Sequence, residues 1–164
     1  MATYRRTRNF IASIIDYLTT QINASWSGVS VCKGFVEVYD LPLPVVSVRC
    51  ESSATNHGEL GDNAEVRDYQ IYIDIFAKEG GMKEDLKDFI MDAMKVGCVY
   101  YDYVTAKTSN GRDTIVQSKT ADGRIRVMKM TETAVKFDVD RDKIILHDRY
   151  RHLIVCTVSR SKLE

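Results

Sequence analysis

The chain has 164 residues, 45% of them hydrophobic, and its 23 Lys and Arg balance its 23 Asp and Glu. This hydrophobic content disfavours global disorder, and the length predicts one domain spanning residues 1–164. The zero net charge disfavours tight, non-specific binding to duplex DNA, because such binders neutralise phosphates with a basic excess.

The first predicted element is a helix over residues 4–25. Its apolar side chains recur every three or four residues and therefore share one face: Phe10, Ile11, Ile14, Ile15, Leu18 and Ile22. Residues 29–38 follow as one or two short strands. The Leu-Pro-Leu-Pro run over 41–44 excludes a helix, because proline restricts its own backbone and that of the preceding residue. A further strand is predicted over 45–50.

The strongest strand signal covers residues 68–78. Strict alternation of apolar and polar residues is typical of a strand with one face against a core. The apolar positions are Tyr69, Ile71, Ile73 and Ile75. Gly80 and Gly81 end the strand, and a helix over 82–95 follows. Its apolar stripe is expected to cover the strand, with Met82, Leu86, Phe89, Ile90, Ala93 and Met94.

Strands and turns occupy the sequence after this helix. The strands are predicted over 98–106, 114–120, 124–130, 134–139 and 149–159. Asp-Gly between two extended runs is a strong hairpin signal, so residues 121–123 are predicted to form a tight turn. Residues 52–66 are polar and contain glycine, which predicts a long loop that is functional or mobile. A short strand at its end, running into the next strand, is the alternative. The expected fold is α+β, with an N-terminal helix, a mixed, mostly antiparallel sheet, a second helix packed on one face, and long loops.

Four cysteines are far apart in the sequence: Cys32, Cys50, Cys98 and Cys156. No CxxC pair occurs, which excludes a zinc knuckle and a thioredoxin-type redox motif. Neither a secretory signal nor a run of about 18 apolar residues is recognised. The sequence therefore predicts free, mostly packed thiols in a chain made in a reducing cytoplasm, without a membrane partner.

Two charged stretches resemble parts of metal sites, and each fails on a specific requirement. His147 and His152 are five residues apart, so on a strand they point to opposite faces and cannot reach one metal without a bulge. Residues 138–142 resemble the start of a calcium loop, but Lys143 stands where that loop needs a glycine. A solvated strand end and a charged turn explain these stretches better.

Asp74 and Lys78 suggest a metal-dependent nuclease, which needs an acidic-x-Lys triplet beside a strand carboxylate. Phe76 occupies the place of the acidic residue, so one metal ligand is missing. Gly-x-Ser-x-Gly, a phosphate loop and a dinucleotide fingerprint are all absent from the sequence. The sequence therefore predicts no catalytic, cofactor-binding or metal-binding residue, and no enzyme.

The order and general character of the helices and strands resemble those of bacteriophage neck and tail-completion proteins, above all tail terminators. Residues 67–77 look like the central strand of that family, and residues 80–97 look like its packed helix. Residues 44–51 look like the preceding strand and residues 149–159 like the closing one. The resemblance covers most of the chain and lies in element order, not in a short motif.

This resemblance implies a structural virion protein of the neck. Such terminators form a hexameric ring on the tail tube protein, stop tube growth and offer a docking surface to the head connector or stopper protein. The sheath is a further candidate partner, and genomic DNA passes through the lumen without specific binding. The implied location is the neck or tail of the virion, after assembly in the host cytoplasm.

Docking is expected on two polar segments, residues 52–66 and 107–124, because flexible loops often become ordered on binding. The candidate docking residues are Asn56, His57, Glu59, Asp62, Lys107, Asn110, Arg112, Lys119, Asp122 and Arg124.

Three other interpretations stay open from the sequence. A head-completion or stopper connector shares the size and composition of a terminator. A small metal-dependent nuclease predicts acidic residues that converge in a cleft. A peptide-binding module predicts a stable monomer with a groove along an exposed sheet edge.

Overall fold

The computed structural model describes residues 6–57, 65–107, 114–135 and 145–161. They form two α-helices and six strands, with short 3-10 helices at Val38–Asp40 and Leu146–Asp148. The elements in chain order are α1 (Arg6–Ser25), β1 (Ser30–Lys33), β2 (Val45–His57), β3 (Glu65–Phe76), α2 (Gly80–Val96), β4 (Cys98–Lys107), β5 (Thr114–Ala134) and β6 (Arg151–Ser161).

All six strands belong to one sheet with the order β1-β2-β3-β6-β5-β4. β1 pairs with β2 in parallel, and the other neighbours pair antiparallel. The predicted α+β fold with a mixed, mostly antiparallel sheet is therefore confirmed.

Both helices pack on one face of the sheet and build the main core. α1 buries an apolar stripe that includes Phe10, Ile14 and Leu18, because these side chains share one side of the helix. From α2, the fully buried side chains are Leu86, Ile90 and Met94. The sheet meets them with alternate residues of its central strands: Tyr69, Ile71, Ile73 and Ile75 from β3, and Ile154, Cys156 and Val158 from β6.

The segment between β1 and β2 folds over the opposite face of the sheet. It buries Val38 and Leu43 against Val45 and Phe76, and Phe35 packs at the edge of this smaller cluster. Part of the second sheet face is therefore covered. The prediction that residues 41–44 are not helical holds, and the Leu43–Pro44 peptide bond is cis.

The edge strand β4 is covered by polar groups of α1. The Tyr101 backbone N–H donates to Ser13 Oγ at 3.0 Å, and Asn9 Nδ2 donates to Asp102 Oδ1 at 2.9 Å. Unpaired backbone groups on a sheet edge invite pairing with another chain, so these bonds protect this part of the edge.

The predicted loop over residues 52–66 is wrong for most of its length. β2 continues to His57 and β3 begins at Glu65, with residues 52–57 paired to residues 65–70. Residues 58–64 lie outside the described part of the chain. Propensity failed here because Ser, Asn and Thr residues in an exposed two-stranded ribbon have no buried face, and therefore no apolar alternation.

The predicted hairpin turn at residues 121–123 is also wrong. β5 continues through these residues without reversing. It pairs antiparallel with β4, the strand that precedes it in the chain. The three β4 residues from Val99 to Tyr101 face the four β5 residues from Ala121 to Arg124, so the register shifts here. Gly123 has φ +112°, so its freedom serves a bulge within the strand, not a reversal of the chain.

Other boundaries shift by smaller amounts. Within residues 29–38 the strand is limited to β1, and the closing strand runs over Arg151–Ser161 instead of 149–159. The predicted strand over 134–139 lies mostly outside the described residues. All four cysteines are free, and burial raises the pKa of Cys98 and of Cys156 to about 12.

Replacing Gly97 with alanine is expected to destabilise the fold by about 2–4 kcal/mol. Gly97 ends α2 with φ +71°, and a Cβ atom there would collide with the backbone carbonyl oxygen of Ile125. Gly81→Ala is the matched control, because nothing lies within 4 Å of a Cβ at that position. Urea unfolding measures both changes, and equal stability of the two variants would contradict the prediction.

Candidate functional site

Two hairpin ribbons project from the same end of the sheet. β2 and β4 run in the same direction, because each successive pair from β2 through β3, β6 and β5 to β4 is antiparallel. The hairpin that joins β2 to β3 and the one that joins β4 to β5 therefore lie at one end. Between them ends β6, which pairs no further than Arg124↔Ser161 on one side and Asp68↔Ser159 on the other.

The first ribbon consists of residues 55–57 and 65–67, and the second of residues 101–107 and 114–121. Among the described residues, β3 pairs only with β2 over 65–67, and β5 pairs only with β4 over 114–121. The bulge at Gly123 lies where β5 leaves the main sheet and enters the second ribbon. Each ribbon is thus a two-stranded extension of a six-stranded sheet.

The β5 strand of the second ribbon is open to solvent on both faces. Residues 116–121 are all exposed, whereas Tyr101, Asp102 and Tyr103 of the paired β4 strand are half-buried beside α1. Successive side chains of a strand point to opposite faces, so consecutive exposed residues mean that neither face is covered. β6 shows the contrasting pattern, with every second residue from His152 to Val158 buried. A two-stranded ribbon that does not pack against a core gains little stability of its own. Contacts outside the monomer's core would therefore explain why the ribbons extend beyond the sheet.

The predicted docking residues divide among these ribbons. Asn56 and His57 end β2, and Lys107 ends β4, so their backbones lie at the far ends of the two ribbons. Lys119 lies on the second ribbon, while Asp122 and Arg124 lie at its base. The other predicted docking residues fall outside the described residues: Glu59, Asp62, Asn110 and Arg112.

Three of the predicted docking side chains make intramolecular contacts. Lys119 Nζ pairs with Asp16 of α1 and lies 4.7 Å from the ring centroid of Tyr101. Arg124 Nη2 donates to the carbonyl oxygen of Val96 at 2.9 Å, at the C-terminus of α2. Asp122 pairs with Arg160 of β6. These contacts attach the base of the second ribbon to both helices and to the sheet, so only its outer part is free of the core.

A buried carboxylate occupies the other face of β3. Asp74 has no exposed side-chain surface, and its oxygens accept bonds from two arginines. Arg49 Nε lies 3.0 Å from Oδ2, and Arg151 places Nη2 at 2.8 Å and Nε at 3.1 Å from Oδ1. Both guanidinium groups also lie over the ring of Phe35, at 4.6 and 4.7 Å from its centroid.

This arrangement makes Asp74 a structural anchor. The carboxylate compensates two partly buried cations, and both cations contact the ring of Phe35 through cation–π contacts. The segment between β1 and β2 is thereby fixed to the sheet. Both oxygens of Asp74 accept bonds from arginines, and these two adjacent cations oppose a metal ion at this carboxylate. No group of three or more His, Cys, Asp or Glu side chains that could hold a metal occurs among residues 6–57, 65–107, 114–135 and 145–161.

The two histidines of the 147–152 stretch lie in different environments. His147 Nε2 is 3.0 Å from the carbonyl oxygen of Leu41, in the 3-10 helix before β6. His152 is 5% exposed beneath α2, and neither of its ring nitrogens has a hydrogen-bond partner. Its nearest carboxylate is Glu132, at 3.8 Å from Nε2. The prediction that both histidines lie on one strand with a solvated end is wrong, because His147 lies in the 3-10 helix before β6 and His152 is buried.

His152 is expected to make the protein less stable in acid. Burial lowers the pKa of His152 from its ordinary value of 6.5, against the opposing effect of Glu84 and Glu132. As the pH falls below about 6.5, the unfolded chain binds a proton at His152 more readily than the folded chain does. The free energy of unfolding therefore falls as the pH drops through this range and stays level above it.

Urea unfolding between about pH 5 and pH 8 measures this effect. His152→Leu should flatten the pH dependence of the free energy of unfolding between about pH 6.5 and pH 5. An unchanged slope in His152→Leu would assign the acid sensitivity to other groups.

A small open cleft of about 190 Å³ lies where α1 meets β4 and β5. It is lined by Asp16, Tyr17, Thr20, Val99, Tyr101 and Lys119. The Asp16–Lys119 ion pair occupies its polar side. No helix among the described residues has the length and apolar character needed to cross a membrane.

Comparisons with known proteins give little further information. The sequence matches no protein-family model. It also matches no curated protein. Among solved structures, one chain from "Virion of native gene transfer agent (GTA) particle" aligns with 96% of this chain and 97% of its own length, at 10% identity and a TM-score of 0.47. A TM-score below 0.5 is too low to assign a fold or a function.

Proposed function

We propose that this protein is a structural component of a phage-like virion, and more specifically a tail terminator that forms a ring in the neck. The observation that carries the proposal is the pair of two-stranded ribbons at one end of the sheet. Residues 116–121 of the second ribbon are exposed on both faces of β5, which suits a segment that becomes buried only in an assembly.

The arrangement of the ribbons also suits a ring. A closed ring needs heterologous contacts, in which two different patches of one subunit fit one another on neighbouring copies. The ribbons belong to different parts of the sheet, β2–β3 and β4–β5, and project in the same direction. One end of the subunit thus offers two unlike surfaces for neighbours, the tail tube protein or the head connector.

The element order on which the resemblance to terminators rests gives the proposal its specific form. A central strand followed by a packed helix, and a closing strand beside the central one, are present as β3, α2 and β6. Asn56, His57 and Lys107 at the ends of β2 and β4 stay candidate docking residues, as do four residues outside the described part of the chain: Glu59, Asp62, Asn110 and Arg112.

The mass of the purified chain in solution tests the proposal. Sedimentation velocity over a concentration series, with negative-stain imaging of the large species, should show rings of roughly six subunits. A chain that stays monomeric at every concentration and binds an extended peptide would contradict the ring and support a peptide-binding module.

A further inference from the structure

The outer edge of β2 is open beyond the end of β1. β1 pairs in parallel with Val45–Val48 only, whereas β2 continues to His57. The chain leaves this edge at Gly34, whose N–H donates to the carbonyl oxygen of Val48 at 3.1 Å. In the described part of the chain, no strand pairs with residues 49–57 on that side. We refer to this outer side of residues 49–57 as the free edge.

The hydrogen bonds of the sheet show which way the backbone groups of β2 point. The N–H and C=O groups of one strand residue point to the same side, and those of the next residue point to the other side. Because the carbonyl oxygen of Val48 accepts from Gly34, Val48 faces β1. Ser47 therefore faces β3, and its partner Asp74 faces β2.

The same alternation identifies the outward groups of the free edge. From Asp74, every second residue along β3 faces β2, and this series includes Gln70. Gln70 pairs with Ser52, and the register shift between the two strands lies on β2, between Cys50 and Ser52. Ser52 therefore faces β3, and Ser53 points its N–H and C=O groups outward. No hydrogen bond to these two outward groups occurs among the residues that the structure describes.

Elsewhere the edges of the sheet carry protection that the free edge lacks. β1 has only four residues and ends in the exposed Lys33, and short strands with lysine resist pairing with another chain. On β4, the Tyr101 N–H donates to Ser13 Oγ of α1. Residues 51–54 of β2 are all exposed and include neither lysine nor proline. After its irregular start at residues 50–52, the free edge is thus open to the addition of a strand.

We infer that two copies of this chain pair along their free edges, as neighbouring antiparallel strands of one continuous sheet. The same edge on two copies related by a twofold axis is self-complementary, so each outward N–H meets a C=O of the other copy. Ser52, Ser53 and Ala54 are exposed and uncharged, so like charges do not face one another there. Main-chain hydrogen bonds supply the affinity in strand addition of this kind. The inference goes beyond the proposed ring, because a ring closes through unlike patches whereas this contact joins like ones.

Ser53→Pro tests this contact, because proline removes the outward N–H without removing a hydrogen bond to β3. In sedimentation velocity over a concentration series, wild-type subunits or rings should join in pairs. Ser53→Pro should weaken this pairing at least about tenfold, whereas Ser53→Thr, which keeps the N–H, should pair like the wild type. Ser52→Pro is the positional control. It removes a bond to β3, so urea unfolding should show a less stable monomer than in Ser53→Pro.

Amide hydrogen exchange gives an independent readout of the same contact. The Ser53 amide should exchange at least about tenfold more slowly in the paired wild-type chain than in the dilute, unpaired chain. Protection at this amide distinguishes the free edge from any other surface through which two copies could associate.

Pairing of Ser53→Pro at wild-type strength, or free exchange of the Ser53 amide in the paired wild-type chain, would overturn the inference and leave the proposed ring intact. Equal loss of stability in Ser52→Pro and Ser53→Pro would also overturn it, because Ser53 would then not face outward. A wild-type chain whose subunits and rings never join in pairs would have the same consequence. Protected pairs of subunits that never form rings would contradict the proposed function and support this contact.

Discussion

Ile73→Asp should abolish cooperative folding, with a loss of more than about 4 kcal/mol. Ile73 lies in the middle of β3, has no exposed surface, and pairs with Val48 of β2 and Ile154 of β6. A carboxylate there would be buried among apolar side chains of three strands. Because small domains have only about 5–15 kcal/mol of stability in total, this one change removes most of it.

Val116→Asp provides the matched control for this change. Val116 is 53% exposed on the second ribbon, so the same introduction of a carboxylate leaves it in water. We expect a change of less than about 1 kcal/mol, from lost strand propensity alone. Urea unfolding with circular dichroism compares the two variants. A native-like transition in Ile73→Asp would contradict the position of β3, and severe destabilisation in Val116→Asp would contradict the uncovered ribbon.

The parts of the fold that follow from the sequence are those in which one face of an element is buried. β3 and α2 were predictable because Ile71, Ile73 and Ile75 alternate, and because Leu86, Ile90 and Met94 recur at helical spacing. The ribbons were not predictable by the same rule, because a strand with two exposed faces carries no periodic pattern. Residues 52–57 therefore read as a loop although they are paired with β3.

The Asp122-Gly123 pair shows a second limit. A glycine with positive φ serves a tight turn and a bulge equally well, and only the pairing partner distinguishes them. Here β6 pairs with residues 124–134 of β5, and residues 114–121 of β5 pair with β4 alone. Gly123 lies between these two parts, so the strand changes partners there and continues. The partner strands are distant in sequence, so local propensity favoured the wrong answer.

The Asp74 cluster was missed for a related reason. Its members come from β2, β3, β6 and the segment after β1, so no local spacing connects them. One signal was available in the sequence: Arg49 follows the valine-rich residues 45–48, and Arg151 precedes the apolar run 153–156. Such arginines need a buried anion or an aromatic face, and Asp74 and Phe35 supply both.

Asp74→Asn should destabilise the protein by about 3–5 kcal/mol, although it changes the shape of the side chain very little. The side chain of Asp74 is 0% exposed, while those of Arg49 and Arg151 are 22% and 16% exposed. An amide cannot compensate the two guanidinium charges, and it offers one acceptor oxygen in place of two. The cost therefore arises mainly from partly buried cations that lose their buried counterion and keep only Glu51, which is 45% exposed, and Asp148, at 3.8 Å from Arg151.

Glu51→Gln is the control, because Glu51 also pairs with Arg49 but is 45% exposed. An exposed ion pair contributes less than about 1 kcal/mol, so the two acidic partners of the same arginine should differ clearly in urea unfolding. Limited proteolysis gives an independent measurement. Release of Phe35 should open the segment over residues 34–44 to cleavage in Asp74→Asn and not in Glu51→Gln. Equal stability and equal resistance in the two variants would mean that Asp74 does not anchor this segment, and the second sheet face would then be held by the apolar contacts of Val38 and Leu43 alone.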